Sequence, residues 1–157
     1  MRRHDREVTD FKEMIQIMEK CDVCRLGLRN GEDVYILPLN FGMKVSDDRV
    51  ELFFHSAREG KKIELIKANH HVSFEMDCKH ELEMDEGKKQ CTMRYESVMG
   101  KGRIETVPEE EKLEALRCLM AHYHQEEFVF GTQAVPHTYV YKLIVEEMTA
   151  KRNAKKV

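Results

Sequence analysis

The stretch that decides the fold is ELFFHSAREGKKIELI, residues 51–66, in which an apolar run ends in His-Ser and resumes after two adjacent lysines. The run at its start predicts a β-strand over Val50–Phe54, and residues 57–68 have the pattern of a short helix. Ser56 and Glu59 fit the S-x-x-E capping box, in which each side chain satisfies a backbone N–H at the helix start. Ordinary helix capping therefore explains part of this stretch.

The capping box leaves the next three residues unexplained. Gly60 costs roughly 1 kcal/mol relative to Ala inside a helix. Lys61 and Lys62 lie in the half of the helix where the macrodipole favours anions over cations. Helix amides, a small residue that permits close approach and two ammonium groups together suit a phosphate. Two interpretations stay open at this point, a solvated helix start and a phosphate-binding turn.

The composition describes one soluble globular domain, which we place at residues 1–150, followed by a basic tail at residues 151–157. The formal net charge of −3 gives no drive toward nucleic acid or an anionic membrane. No apolar run reaches the roughly 18 residues of a membrane-spanning helix, and no apolar segment follows the N-terminal charges as a signal peptide would require. The five cysteines are expected to be reduced thiols in the cytoplasm.

The remaining pattern predicts a mainly β fold with flanking helices. Six strands are expected, and they are VCRLGL, VYILPLNFG, Val50–Phe54, HHVSFEMDC, Gln90–Glu105 and Thr138–Glu146. Three helices are expected, and they are residues 10–20 with Thr9 as N-cap, residues 57–68, and a helix from Pro108 to about His124. The polar segment ELEMDEGKK is expected between strands. This order predicts a small six-stranded antiparallel barrel with helices packed outside it.

Two of the predicted strands carry residues suited to a planar polar ligand. In YILPLNFG, residues 35–42, Pro38 leaves part of the neighbouring ladder unpaired, and Asn40 adds an amide to an apolar run. In RYESVMGKGRIE, residues 94–105, Ser97 lies just before two glycines. Those glycines indicate either bulges that curve a barrel or room for a ligand.

Together these stretches resemble the FMN-binding split-barrel superfamily of pyridoxamine-5'-phosphate-oxidase-like proteins, and within it the 5-nitroimidazole-resistance branch. The resemblance runs from CDVCRLGL through YILPLNFG, LFFHSAREGKKIELI, VSFEMD and YESVMGKGRIE to VYKLIVEEMTAKR, and covers nearly the whole domain in order. The His-Ser-x-x-x-Gly-Lys-Lys turn after a strand is its most specific element. The resemblance implies a six-stranded antiparallel split β-barrel that forms a homodimer, with two FMN molecules in the grooves between subunits.

The resemblance also assigns residues to the FMN site. The residues implied along the edge of the isoalloxazine ring are Leu37, Pro38, Leu39, Asn40 and Phe41. The residues implied at the ribityl chain and phosphate are His55, Ser56, Lys61 and Lys62. Ser97 matches a central-strand position where the oxidases often have glutamine. Contacts from the partner subunit are expected from GTQAVPHTY, residues 131–139.

The activity implied by the resemblance is that of an FMN-dependent oxidoreductase that reduces nitroimidazole-like compounds toward the amine. His55 is the candidate catalytic residue, with a role only in binding the cofactor as the other interpretation. The chain lacks tryptophan and the C-terminal substrate-binding segment of the oxidases themselves, so vitamin B6 synthesis is not expected. Two alternatives stay open, a deazaflavin enzyme on the same fold and a flavin or heme carrier without turnover.

Other motifs carry weaker predictions. Cys21-Asp-Val-Cys24 has C-x-x-C spacing, but no second pair completes a tetrahedral metal site, so we interpret these cysteines as structural. His70 and His71 are adjacent in a predicted strand, and their side chains are expected to point to opposite faces. No metal site is predicted.

Overall fold

A computed structural model describes residues 3–124, 126, 128–131, 133 and 135–154 of the chain. The strands are β1 Glu7–Val8, β2 Cys24–Asn30, β3 Asp33–Leu39, β4 Gly42–Ser46, β5 Arg49–Ser56, β6 His71–Asp85, β7 Gln90–Thr106 and β8 Tyr139–Asn153. The helices are α1 Phe11–Met18, α2 Lys61–Ala68 and α3 Lys112–Tyr123. Single 3-10 turns lie at His4–Arg6, Glu109–Glu111 and Val135–His137. No helix within these described ranges is long and apolar enough to cross a membrane.

All eight strands belong to one antiparallel sheet. The order across the sheet is β3-β2-β6-β7-β8-β5-β4, and the two-residue strand β1 pairs with the far end of β8. The mainly β architecture with flanking helices is therefore confirmed, whereas the predicted count of six strands is wrong. Strand β1 is too short to show a periodic pattern. Strand β4 was not predicted because the apolar run VYILPLNFG was interpreted as one strand, whereas β3 ends at Leu39 and β4 begins at Gly42.

The sheet is curled but not closed, and its two edges are formed by β3 and β4. These two strands are consecutive in the chain and are joined only by Asn40 and Phe41. Three residue steps of extended chain span at most roughly 11 Å. The two edges of the sheet must therefore approach one another at this end, which produces a split barrel and not a flat sheet.

The strands alternate between a core face and an outer face. Side chains of β2 and β3 that face the core include Leu26 and Leu37, which are opposite one another across the two strands. The same face of β5 and β8 carries Phe54 stacked on Tyr141, both without solvent exposure. Helix α3 covers part of the opposite face of β5 through a second apolar cluster, which comprises Phe53, Val107, Ala115, Leu116 and Val140.

Helix α1 closes one end of the barrel. Asp10, and not the expected Thr9, is its N-cap, since the Asp10 carboxylate accepts from the backbone N–H of Glu13 at 2.9 Å. Ile17 and Met18 at the other end of the helix are completely buried in the main core. The buried carboxylate of Glu96 on β7 accepts from Lys20 at 3.1 Å and Arg152 at 2.7 Å, so ion pairs fasten this helix to β7 and β8.

The segment predicted as a polar excursion instead extends a hairpin. Strand β6 continues to Asp85 and pairs with β7 down to Gln90, so most of ELEMDEGKK is strand. The register shifts between Cys78 and Glu81, where Lys79 adopts a positive φ of 57°. A β-bulge at this point redirects the outer half of the hairpin. At the other end of the chain, β8 runs to Asn153, past the expected domain boundary, and residues 155–157 lie outside the described residues.

Of the two interpretations of the central-strand glycines, the bulge is confirmed at Gly102, whereas room for a ligand stays a prediction. At Gly102 the register of β7 and β8 shifts, so a bulge lies here and curves the sheet. Strand β8 approaches so closely that a Cβ on Gly102 would collide with the carbonyl oxygen of Ile144. Gly100 lines a groove on the outer face.

This close approach predicts a large loss of stability for Gly102→Ala. The added methyl would push β7 away from β8, and we expect the free energy of unfolding to fall by about 2 kcal/mol or more. Urea denaturation measures this change. Gly27→Ala is the matched control, because its Cβ would meet its nearest neighbour, Val34 Cγ1, at an ordinary 3.5 Å. Equal effects of the two substitutions would contradict the role given to Gly102.

Candidate functional site

Strand β3 presents an open edge with unpaired backbone groups. Its register with β2 places Pro38 opposite Arg25. Because bonded and non-bonded pairs alternate in antiparallel strands and Pro38 has no N–H, this pair is of the non-bonded kind. Leu37 and Leu39 then bond to β2. The N–H and C=O of Ile36 and the C=O of Pro38 point away from β2, toward the open edge.

The side chains of this strand end differ in their surroundings. Leu37 is buried, Leu39 is half-buried against the core, and Pro38 and Asn40 are exposed. Phe41 is completely buried and packs on the His122 ring, with the ring centroids 4.2 Å apart. Only the backbone and the two exposed side chains are therefore available to a ligand at this edge.

The crossing from β3 to β4 is held by the end of α3, a feature that sequence reasoning missed. The Tyr123 hydroxyl accepts from the backbone N–H of Phe41 at 3.0 Å and donates to the carbonyl of Asp22 at 2.8 Å. His122 Nε2 lies 2.8 Å from the carbonyl oxygen of Cys21. These contacts span about a hundred residues of sequence, so no local pattern indicates them.

The residues at the end of β5 do not form the predicted capping box. Ser56 is still in the strand, where its hydroxyl donates to the carbonyl of Ala57 at 2.7 Å. Helix α2 begins only at Lys61, so Glu59 precedes it and cannot occupy the third helical position. The capping interpretation of Ser56 and Glu59 is therefore wrong, because the chain between β5 and α2 is longer than the pattern suggested.

Gly60 resolves the question raised by its position. It is the N-cap of α2, with φ 124° and ψ 165°, and is not inside the helix. Residues other than glycine rarely adopt this backbone conformation, which explains why glycine is at this position. A Cβ at Gly60 would meet no atom within 4 Å, so the space in front of the helix is open. No side chain of the described residues caps the helix start.

Lys61 and Lys62 are thus the first two residues of an uncapped helix. The ammonium of Lys61 lies 5.0 Å from the centroid of the Tyr35 ring on β3, a cation–π contact that connects the helix start to the strand. Lys62 is half-buried and lies near His55 at the end of β5. Partial burial, followed by the Lys62 charge, lowers the pKa of His55 from its usual value, so the imidazole is held in the neutral form.

Tyr35 was missed as a site residue, although its signal is in the sequence. It alternates with Leu37 and Leu39 and therefore lies on their face of β3, above the core. Its position five residues before Asn40 corresponds to roughly 17 Å along the strand. The point where the helix start contacts β3, at Tyr35, and the open end of β3 therefore lie near opposite ends of one continuous strand.

Ser97 lies apart from the other predicted residues. It belongs to the outer face of β7, opposite Asp77 on β6 and Lys151 on β8. Three strand spacings, or about 14 Å, separate β7 from β3. Within one chain, Lys61 lies over Tyr35 of β3 and Lys62 lies near His55, whereas Ser97 is not brought to any of them.

Near Ser97 the outer face forms a large apolar groove, here called the outer groove, of about 670 Å³. Val34 and Ile36 are each 66% exposed, and Met99 is 45% exposed. Ion pairs flank these side chains, from Arg25 to Asp77 at 2.6 Å and from Lys101 to Glu147 at 3.1 Å. The groove residues are Arg25, Gly27, Val34, Ile36, Ser73, Phe74, Glu75, Met99, Gly100, Lys101, Glu147, Met148 and Thr149.

The arrangement around β3 suits a ligand with an anionic group at one end and a planar polar edge at the other. The uncapped N-terminus of α2 and two ammonium groups provide the anion site. Ile36 and Pro38 provide one donor and two acceptors along the open edge of β3. A flavin mononucleotide has both features, and the residues present fit it.

Comparisons with known proteins agree with this fold. Within solved structures, the chain is similar to a candidate 5-nitroimidazole antibiotic resistance protein from Bacteroides thetaiotaomicron VPI-5482, with 33% sequence identity and a TM-score of 0.81. The match covers 92% of this chain and 85% of that one. None of the curated proteins compared matches the chain significantly.

Two more distant structures share the fold alone. The FAD and heme binding protein from Mycobacterium smegmatis is 14% identical with a TM-score of 0.81, over 96% of this chain and 74% of that one. The flavocytochrome Anf3 from Azotobacter vinelandii is 17% identical with a TM-score of 0.80, and the match covers 99% of this chain and 72% of that one. The family model described as pyridoxamine 5'-phosphate oxidase matches residues 10–152, nearly the whole chain. The chain is therefore a member of the pyridoxamine 5'-phosphate oxidase family, with its flavin-binding split-barrel fold.

Proposed function

We propose that the protein is an FMN-dependent oxidoreductase that reduces nitroaromatic compounds of the nitroimidazole type. The observation that carries the proposal is the contact of Lys61, at an uncapped helix start that also carries Lys62, with Tyr35 of the edge strand β3. The 33% identity to a candidate nitroimidazole resistance protein supports the choice of substrate class. The free thiols of all five cysteines suit a cytoplasmic protein.

The residues proposed to hold FMN follow from their places in the fold. Lys61 and Lys62 would bind the phosphate with the first amides of α2, and Ser56, the last residue of β5, would contribute its hydroxyl. The backbone of the strand end would meet the ring edge, and the residues there are Leu37, Pro38, Leu39, Asn40 and Phe41. For Phe41 the contribution is limited to its carbonyl, since Tyr123 already binds its N–H.

A homodimer completes this proposal. The outer groove exposes branched aliphatic side chains at the free edge of the sheet, where a second copy would cover them. Such a partner would bring its own Ser97 toward the β3 edge, which explains why Ser97 is remote from the other residues within one chain. Contacts from residues 131–139 are part of the proposal, although residues 132 and 134 lie outside the described residues.

The chemistry divides between cofactor and chain. A bound flavin supplies the electron transfer, and the protein supplies binding, orientation and electrostatics. His55 is exposed at the end of β5, and its lowered pKa keeps the imidazole neutral near pH 7. A neutral imidazole can donate one hydrogen bond and accept another. We propose that His55 as the neutral imidazole orients the nitroaromatic substrate beside the ring or, after taking a proton from solvent, gives the substrate that proton.

The phosphate site predicts the effect of removing both lysines. Lys61→Ala with Lys62→Ala removes two charge-assisted contacts, each worth about 1.5–3 kcal/mol, so FMN affinity should fall by about tenfold or more. Fluorescence titration of FMN measures the affinity, and circular dichroism checks the fold. Lys12→Ala with Lys67→Ala is the control, since it removes the same charge from α1 and from the last turn of α2. Equal affinities of the two double variants would place the phosphate elsewhere.

His55→Gln separates an enzyme from a carrier. With FMN bound, the wild-type protein reduced anaerobically by NADH or NADPH should pass electrons to a nitroimidazole. The variant should do so about a hundredfold more slowly with unchanged FMN affinity, a loss typical of a removed acid–base group. His124→Gln at the exposed end of α3 is the control.

Two outcomes would oppose this assignment. If nitroimidazole leaves the reduced wild-type protein unchanged, the proposed nitroimidazole reduction is refuted. If the purified protein shows a Soret band and no flavin absorption, it is a heme protein of the same fold.

The dimer predicts a specific effect at the outer groove. Ile36→Glu would bury a carboxylate in the proposed interface, and the protein should then elute as a monomer with weakened FMN binding. Light scattering coupled to size exclusion gives the mass. Leu113→Glu, at a 40% exposed position on α3, should remain a dimer. A wild-type protein that is already monomeric would refute the interface.

A further inference from the structure

Two cysteines distant in sequence meet at one carbonyl oxygen. Cys21 follows the turn that ends α1, and its Sγ donates to the carbonyl of Ile17 at 3.2 Å. Cys78 lies on β6, and its Sγ is 4.0 Å from the same oxygen. Because both sulfurs are directed at one atom, the thiols are neighbours in space. Burial raises the pKa of both thiols, and their mutual interaction raises it further for Cys21 and lowers it for Cys78.

The surroundings of the two thiols differ. Cys21 is completely buried, whereas Cys78 is partly exposed and can be reached from solvent. Three charged groups surround Cys78, the carboxylate of Glu96 at 3.9 Å and the ammonium groups of Lys20 and Lys79. An oxidant would therefore reach Cys78 first, with Cys21 directly behind it.

The backbone around both cysteines has room to adjust. Cys21 lies outside α1, in the irregular link to β2. Cys78 is the last residue of β6 before the bulge, where Lys79 has a positive φ. Cys21 lies outside regular structure and Cys78 borders a bulge within β6, so the backbone can adjust at these two points when the sulfurs approach to bonding distance.

The remaining cysteines are not placed in this way. Cys24, the second cysteine of the C-x-x-C motif, is buried at the start of β2, and within the described residues no hydrogen bond joins it to Cys21. Cys118 on α3 donates to the carbonyl of Met43 at 3.3 Å, and Cys91 is exposed on the β6–β7 hairpin. The structure thus separates the pair that the motif suggests and joins a different pair.

We propose that Cys21 and Cys78 are a peroxide-sensitive thiol pair that closes to a disulfide. The Cys78 thiol attacks a hydroperoxide, the O–O bond breaks, and Cys78 becomes a sulfenic acid while an alcohol or water leaves. The Cys21 thiol then attacks the sulfenic sulfur, and a second water leaves as the S–S bond forms. Two thiols lose two electrons and two protons, and the peroxide accepts them. A transient disulfide of this kind is compatible with a reducing compartment.

Peptide mapping of the full-length protein tests the pair. Cys91→Ser is used as the background, because the exposed thiol of Cys91 would otherwise link separate copies. After hydrogen peroxide and N-ethylmaleimide treatment, a protease that cleaves before aspartate separates Cys21 from Cys24 at Asp22. We expect a bridged peptide that joins residues 10–21 to residues 77–84 and disappears after dithiothreitol treatment.

Variants in the same background make the assignment specific. Cys21→Ser keeps a hydrogen-bond donor to the carbonyl of Ile17. In this variant no disulfide should form, and Cys78 should remain a sulfenic acid that dimedone traps. Cys118→Ser is the matched control, a half-buried thiol with a carbonyl partner, and should bridge like the parent. The proposal is overturned if N-ethylmaleimide, added on unfolding after the peroxide treatment, alkylates both Cys21 and Cys78, or if Cys21 is found bridged to Cys24.

Discussion

The missing N–H of Pro38 constrains the rest of the fold. A strand that carries proline within its paired length favours the edge of a sheet, and β3, with Pro38 next to its last residue, is an edge strand. The chain then leaves β3 at Asn40 and joins β4 at the opposite edge, and the Tyr123 hydroxyl binds Phe41 in this crossing and Asp22 in the link before β2. The barrel therefore remains split, and the split leaves backbone groups available to a ligand.

The second requirement of the site is a helix start that nothing in the described chain caps. Gly60 adopts a conformation that only glycine adopts readily, and this permits the chain to turn from β5 into α2. Lys61 then lies over Tyr35, so the positive end of the helix is attached to the same strand that carries Pro38. One strand thus connects the proposed anion site to an open hydrogen-bonding edge, an arrangement that suits an extended phosphorylated ring compound.

Much of this arrangement could be predicted from local patterns. Alternating apolar residues identified the strands on either side of α2, and the Gly-Lys-Lys sequence identified the helix start as unusual. The capping box was wrong because Ser56 and Glu59 have the right spacing in sequence, whereas the helix begins two residues after Glu59. Strand β4 was missed because apolar residues lie on both sides of the break between β3 and β4. Tyr123, from a remote helix, stabilises this break.

The remaining features depend on tertiary contacts that a single sequence does not encode locally. The pairing of Cys21 with Cys78 requires α1 to lie against the bulge of β6, and the C-x-x-C motif pointed to a different partner. Ser97 matched a family position, but its distance from β3 within one chain becomes visible only in the sheet order. Its proposed contribution requires a second subunit.

A crystal structure of the protein grown with FMN tests the central claim most directly. The account predicts one FMN per chain, with its phosphate in contact with Lys61, Lys62 and the first amides of α2, and its ring along Ile36 and Pro38. A flavin phosphate bound away from the start of α2, or a ring that does not contact the β3 edge, would contradict it.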